Sequence, residues 1–489
     1  MGSKISTKQA FLFTAINYIG VLIGVISTVL IYPQDKEMLG IIRFVDACAQ
    51  ILFPIIVLGS THALINFYPN LTENLQKKLF SFSLLSLGKL ALVVGGLIYV
   101  GSFFYKGDDI KYVYMGFPLA IAMAYIELFR RQATNLQKLS FPTFFEKIIP
   151  KIALPAVFLM VIYAGYTINQ AIGYYIIAYY IVAFVIGVYI YKHFKYNWHW
   201  NYKDLFQSVS KKEYYSYSLF AFAGSFGSFF AFRVDSLMIP YFISYEANGT
   251  YNIGVTLAST LAIPATGVFA LYAPVISDLI KRVQLRELNQ KYKEVARNLF
   301  FIGMLLFTCV AVGIEPLFRL LPTYDKLAPS IPIIYLLGVN VVINMSTGFN
   351  SEIISYSKYY RFNLVSILSL MVLNVALNYL LLTQTTLGIF GVGLASLLSL
   401  TLFNIAKTYY IYHKMKLWPF DLQFFKLLMT MVLVVLGVFA IPMDIHPLFE
   451  LCIRVALVLV INGYFIFRTN WVIGIRQVLM KFISKFLKR

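Results

Sequence analysis

Setting aside groups near the ends of the apolar stretches, seven ionisable side chains lie inside them: Arg43, Asp46, Lys89, Arg233, Asp235, Glu352 and Arg454. A charge at the centre of a bilayer costs roughly 2.5–3.5 kcal/mol on insertion scales, so such groups normally face a cavity or a partner. Arg43 and Asp46 stand three residues apart and share a helical face, which Gln50 extends. Arg233 and Asp235 stand two apart, about 200° around a helix, so at least one of them needs a partner elsewhere. Guanidinium groups suit bidentate contact with phosphate. Carboxylates in the same setting suit reversible binding of H⁺ or Na⁺ that biases a two-state equilibrium. The competing reading is internal: these charges pair and lock helices, Lys89 snorkels to the interface, and Glu352 meets Lys358 near a span end. Arg454 also reads as interfacial.

Other chemistry is missing. The three cysteines, Cys48, Cys309 and Cys452, are far apart in apolar runs, with no metal-ligand or redox spacing. No phosphate-binding G-x-x-x-x-G-K-[ST] loop exists. The acidic sets Asp35-Lys36-Glu37 and Asp108-Asp109 fall in short loops, where a membrane glycosyltransferase would need a sizeable domain. No cofactor, metal centre or catalytic residue is expected.

The elements holding the charges are membrane spans. Residues are 60% hydrophobic and 13% charged, with mean hydropathy +0.74. A soluble domain carries about 25% charged residues. Fourteen runs approach or exceed the length that crosses a bilayer: 10–32, 38–66, 79–104, 112–130, 149–168, 170–191, 214–243, 251–276, 298–318, 329–355, 362–383, 387–410, 422–442 and 447–467. Runs 2, 7 and 10 are the longest and must tilt, kink or extend beyond the lipid. The first run is too long for a cleaved signal. The Met1-Gly2…Ser6 pattern and the acceptor sequons at Asn70 and Asn248, placed in loops, are read as incidental.

Net charge is +20. With the N-terminus inside, about 31 of the 41 Lys and Arg fall on inside segments and about 5 on outside loops. That asymmetry orients the chain N-in, C-in. It also assigns the positive charge to anionic lipid rather than nucleic acid. After run 14, Val472, Ile475, Leu479, Phe482, Ile483 and Phe486 recur at helical spacing beside Arg476, Lys481, Lys485 and Lys488, which reads as an interfacial helix.

A shift of about 210 residues lays runs 1–2 on runs 7–8. Pro54 falls on Pro264, Ala63 on Ala273 and Ser6 on Ser216, and the turn before Gly40 falls within one residue of that before Gly249 and Thr250. Both second runs are expected to break at their proline. Arg233 and Asp235 fall on Ile23 and Val25, and Arg43 and Asp46 on Ile253 and Thr256, so the charges break the repeat. The expected organisation is an N-lobe over 1–192, a linker over 193–213, a C-lobe over 214–416, spans 13–14 over 417–467 and an amphipathic tail over 468–489.

Six plus six spans plus two, with Gly40-Ile-Ile-Arg-Phe-Val-Asp46, Arg233-Val-Asp235 before Leu-Met-Ile-Pro240, and Gly249-Thr-Tyr-Asn-Ile-Gly254, resembles the polysaccharide-transporter branch of the MOP (multidrug/oligosaccharidyl-lipid/polysaccharide) superfamily, the Wzx-type lipid-linked oligosaccharide flippases in particular. The resemblance implies an all-α membrane protein with two pseudo-symmetric lobes around a central cleft. It implies translocation of a polyprenyl-pyrophosphate-linked oligosaccharide, such as an O-antigen unit for lipopolysaccharide, across the inner membrane. Arg43, Arg233, Lys89, Asn17 and Gln50 would then contact pyrophosphate or sugar, and Asp46, Asp235 and Glu352 would couple H⁺ or Na⁺. Expected partners are the lipid-linked oligosaccharide, membrane lipids and polysaccharide assembly proteins. The alternatives are a multidrug (MATE-like) antiporter of the same superfamily and a membrane glycosyltransferase or polymerase.

Overall fold

In the computed structural model the described residues are 7–105, 107, 109–198, 201–472, 474–477, 480 and 484, with side chains described from residue 19 onward except at 270. Among them the chain is helical, with no strand. The helices are α1 Thr7–Leu30, α2 Lys36–Val57, α3 Ser60–Phe67, α4 Glu73–Phe104, α5 Ile110–Asn135, α6 Ser140–Ala164, α7 Ile168–His193, α8 Lys203–Ser208, α9 Lys211–Phe242 and α10 Tyr245–Ser259. They continue as α11 Ile263–Lys281, α12 Leu285–Arg319, α13 Tyr324–Leu327, α14 Ile331–Ser346, α15 Asn350–Tyr356, α16 Arg361–Gln384, α17 Ile389–Met415, α18 Leu422–Phe439 and α19 Pro447–Arg468.

Every one of the fourteen expected runs is helical. Twelve helices among the described residues are long and apolar enough to cross a bilayer. The other two runs are α1, which contributes a shorter apolar stretch, and α9, whose Tyr-, Ser- and Gly-rich first half lowers its hydropathy. This is a multi-pass membrane protein.

The long runs resolve differently from one another. Run 2 breaks between α2 and α3, where Leu58 and Gly59 both adopt positive φ, 43° and 74°. Pro54 lies inside α2, one turn before the break, and its carbonyl accepts the Leu58 N–H at 2.8 Å. Gly59 is required twice over, because a Cβ there would lie 1.9 Å from the Ser218 carbonyl oxygen as well as carrying the positive φ. Run 8 breaks on the other side of its proline: a 3₁₀ turn over Thr260–Ala262 precedes Pro264, which sits in the first turn of α11. Proline suits a first helical turn because it has no N–H to leave unsatisfied. Run 10 breaks around Gly348, φ 60°. Run 7 does not break; α9 is a single helix of 32 residues.

Contacts divide the chain into two compact units, 1–252 and 253–489. In the first, α2 is the central helix, packed against α4, α5 and α9. Asp35 caps it by accepting the Met38 N–H at 2.9 Å, and most of its face is buried from Met38 to Val57. In the second, α12 plays that part against α14, α18 and α19. Its buried row Phe300, Met304, Phe307 and Ala311 faces Phe424, Leu427 and Met431 of α18. The linker helix α8 is held to α4 by Lys78, which donates to Asp204 at 2.6 Å, and by Phe206 edge-on to Phe82. Lys78 holds the Asp204 carboxyl below the usual carboxylate range.

The starts of α2 and α10 cross at a reciprocal contact. A Cβ on Gly40 would lie 1.7 Å from the Tyr245 carbonyl oxygen, and one on Gly249 would lie 1.9 Å from the Lys36 carbonyl oxygen. The offset from Lys36 to Tyr245 is the same as that from Gly40 to Gly249. Residue i of one start therefore meets residue j of the other, and j meets i, the signature of a local two-fold relation. Asn248 Nδ2 donates to the Gly40 carbonyl at 2.8 Å and is fully buried. The Asn248 sequon thus lies in a helix interior and not in a loop.

Of the expected tail, Val472 is buried and Ile475 packs with Trp471 against α12 and α18. Leu479, Lys481, Phe482, Ile483, Lys485, Phe486 and Lys488 lie outside the described residues.

Candidate functional site

The central helix of the first unit carries a polar ladder. Arg43 Nη1 meets Asp46 Oδ2 at 3.4 Å, as the three-residue spacing predicts. Asp46 is 8% exposed and accepts from the Tyr175 hydroxyl of α7 at 3.2 Å. Tyr175 and Tyr179 share a hydroxyl contact of 3.2 Å, one helical turn apart. One turn below Asp46, Gln50 Oε1 accepts from Arg233 Nε of α9 at 2.7 Å. Arg233 is within Coulombic reach of both Asp46 and Arg43. Two guanidiniums and one carboxylate therefore share this neighbourhood, and Arg43 Nε is buried without a hydrogen-bond partner among the described residues. Buried polar atoms are normally paired, so the orphan donor marks unused binding capacity.

Asp235 does not join the ladder. Being about 200° around α9 from Arg233, it accepts from the buried Tyr251 hydroxyl at 2.6 Å instead. Neighbouring Ser236 and Asn248 are tied together by Asn252.

A cleft of about 740 Å³ lies about one helical turn from the ladder within the first unit, lined by Tyr179 but by none of Arg43, Asp46, Gln50 and Arg233. Phe53, Pro54 and Val57 continue the α2 face below Gln50, Phe229 lies one turn from Arg233, and Tyr179 reaches in from α7. The small-residue stretch Gly224, Ser225 and Ser228 forms part of the wall. His62 meets Ser225 across it at 3.3 Å. The far end is charged. Glu127 accepts from Arg130 Nε at 2.9 Å and from Arg131 Nε at 2.5 Å. Arg130 also reaches Glu146 at 3.3 Å. Lys147 and Lys151 lie beyond these pairs. Lys151 lies against Gly20 of α1, where a Cβ would come within 2.9 Å of its Cδ. Four cations face two carboxylates, so this end is net positive. The basic residues here belong to segments the charge asymmetry places inside.

The remaining expected residues are elsewhere. Lys89 stands exposed on α4 among the exposed Leu92, Val93 and Leu97, away from Arg43 and Arg233. The reason is the face it occupies: α4 buries Leu84, Leu87, Ala91 and Val94 instead. Asn17 lies in α1, but its side chain is outside the described residues. Glu352, on α15, interacts with Lys407 rather than Lys358. Lys407 is 3% exposed, donates to Ser351 at 2.5 Å and lies 4.6 Å from the Phe403 ring centre. Arg454 is structural: it reaches Glu450 at 2.9 Å and the carbonyls of Val438 and Ile441 at the end of α18. Of the intramembrane asparagines, Asn378 bonds Asn374 at 2.9 Å, and Asn404 receives Thr347 and Asn350, both at 3.2 Å.

Among solved structures, the chain is similar to the lipid II flippase MurJ in an inward closed conformation, at 13% identity, TM-score 0.68, covering 93% of this chain and 98% of that one. It is similar also to an inward-facing multidrug resistance MATE family transporter of the MOP superfamily, at 14% identity, TM-score 0.63, covering 83% and 98%. The fold is that of the MOP superfamily. Neither a scan against protein-family models nor a search of curated proteins by sequence finds a match. At these identities the MOP likeness concerns the path of the backbone, so the site must be argued from its own side chains.

Proposed function

We propose that the protein is a flippase that moves a polyprenyl-pyrophosphate-linked oligosaccharide, a surface polysaccharide unit such as O-antigen, from the inner to the outer leaflet of the cytoplasmic membrane by alternating access. One observation carries the reading: the Arg43–Asp46–Gln50–Arg233 ladder lies about one helical turn from a cleft whose charged end is net positive. A pyrophosphate needs cations along its whole path through hydrocarbon. The cleft offers Arg130, Arg131, Lys147 and Lys151, and the guanidiniums of Arg43 and Arg233 lie a turn beyond its lining; the arginines among these suit bidentate phosphate contact. Tyrosine and phenylalanine on the walls give sugar rings apolar faces to lie on.

Two further features support the lipid-linked class over a small drug cation. The net-positive lining disfavours a cationic cargo. An apolar groove of about 360 Å³ between α18 and α19, lined by Leu433, Gly437, Leu457 and Ile461, has the character that a polyprenyl chain requires. The backbone likeness extends both to a lipid II flippase and to multidrug transporters and is compatible with either cargo. In this reading Asp46 is the leading ion-coupling group, because protonation of its carboxylate would free Arg43. Asp235 and Glu352 have local partners and are secondary candidates.

The test is complementation of a strain lacking its oligosaccharide flippase. Arg233→Ala and Arg43→Ala, expressed at the wild-type level, are expected to lower surface glycan at least about tenfold, the weight of one lost charged hydrogen bond, with lipid-linked precursor accumulating inside. Normal display by both variants sinks the assignment. Drug resistance that follows expression, without glycan display, transfers the reading to the antiporter class.

A further inference from the structure

The second unit holds a charged cavity that the transport reading does not use. It measures about 760 Å³ and is bounded by α12, the start of α18 and the segment after α19. Lys293, Arg297 and Lys426 face two carboxylates, Glu294 and Asp421. Both carboxylates are already engaged: Lys291 reaches Glu294 at 3.1 Å, and Arg297 reaches Asp421 at 3.2 Å. Arg297 also donates to Gln423. Neither Lys293 nor Lys426 has an ion-pair partner among the described residues. Arg297 Nε is buried and has no acceptor among the described residues.

We propose that this cavity binds the phosphate of an anionic phospholipid headgroup. The ligand chemistry is a phosphate monoanion or diester held by two ammoniums and an orphan guanidinium N–H. Several observations favour a membrane lipid over free phosphate. The cavity exceeds a lone anion in size and has the dimensions of a site for a drug-sized molecule. Leu422, which lines it, is 69% exposed, and Phe425 beside it is 52% exposed, giving acyl chains an apolar exit. Trp471 closes the third side, an indole at the level where aromatic side chains meet headgroups. The site also lies where α12 and α18 enter their apolar runs, on the side of the basic loops that faces anionic lipid. Gly474 lets the chain after α19 lie close to α12, since a Cβ there would come within 2.9 Å of Asn298 Nδ2. The bound headgroup would thus bridge α12, α18 and that segment.

The test titrates full-length protein in detergent with short-chain phosphatidylglycerol, short-chain phosphatidylcholine and inorganic phosphate, following binding by native mass spectrometry. Wild type is expected to prefer phosphatidylglycerol over phosphatidylcholine by at least about tenfold, and Lys293→Gln/Lys426→Gln to lose most of that preference. The unfolding temperature of the double variant without lipid should match wild type. If the double variant does not fold, Lys426→Gln at its exposed position carries the same comparison. An unchanged preference in the variants overturns the site. Competition by inorganic phosphate as strong as by the short-chain lipid overturns the lipid as its source.

Discussion

The half-buried guanidiniums of Arg43 and Arg233 are held in different ways, and the difference separates a lock from a binding site. Arg43 has a carboxylate on its own helix, whereas the side-chain hydrogen bond of Arg233 among the described residues goes to the neutral Gln50 amide. Removing one partner of a buried ion pair typically costs about 3–5 kcal/mol, while replacing both by apolar groups of similar size is often nearly neutral. Arg43→Met is therefore expected to lower the unfolding temperature in detergent clearly. Arg43→Met/Asp46→Leu should recover most of that loss and yet remain inactive in glycan display. A double variant that regains both stability and display would reduce the pair to a helix lock. The Arg43–Asp46 contact was readable from spacing, because an i,i+3 pair on a helix has little geometric freedom. Tyr175 was not readable, since nothing sets it apart from 35 other tyrosines until α7 is packed on the site. Lys407 was missed for a related reason: it lies near the end of run 387–410, where it counts with the basic residues that follow, and only the packing of α17 shows that its face is buried.

At the scale of elements, the repeat was visible as a periodic offset but its physical cause was not. Identities such as Pro54 and Pro264 suggested two related hairpins, yet the two prolines serve different ends of their breaks. The stronger relation is Gly40 with Gly249, each pressed on the other's helix start. Overpacking a well-filled site costs typically 1–3 kcal/mol when neighbours can shift. Here the neighbours are backbone carbonyls, which cannot. Gly40→Ala and Gly249→Ala are expected to be destabilising by at least that amount, and by similar margins, as read by detergent unfolding and yield of monodisperse protein. Gly437→Ala, with open space at its Cβ, is the neutral control. A second element is conditional on charge. The Lys78–Asp204 contact lowers the carboxyl's pKa, so its contribution to docking α8 is present above the ordinary carboxylate pKa of about 3.9 and fades as pH falls through the lower docked value. Amide exchange over 203–208 should rise in Lys78→Ala at neutral pH, and in wild type only on strong acidification.

For the whole molecule, the fourteen-run layout followed from hydropathy and charge because a bilayer leaves helices few alternatives. What hydropathy does not encode is which apolar surface meets lipid and which meets cargo, since both want the same side chains. The groove between α18 and α19 is the place where that ambiguity matters most. If it guides a polyprenyl chain, filling it should harm transport in proportion to chain length, and should spare a substrate whose lipid is short. Gly437 permits the experiment, because it is exposed in the groove and a Cβ there would meet no atom within 4 Å. Gly437→Phe is expected to express and unfold like wild type. It should slow flipping of a long-chain lipid-linked sugar about tenfold, equivalent to one or two methylenes lost from contact along the groove, and leave a short-chain analogue within about twofold of wild type. Equal slowing of both substrates would move the effect to lobe motion, and no slowing of either would leave α18 and α19 as a lipid-facing pair with the groove filled by bulk membrane.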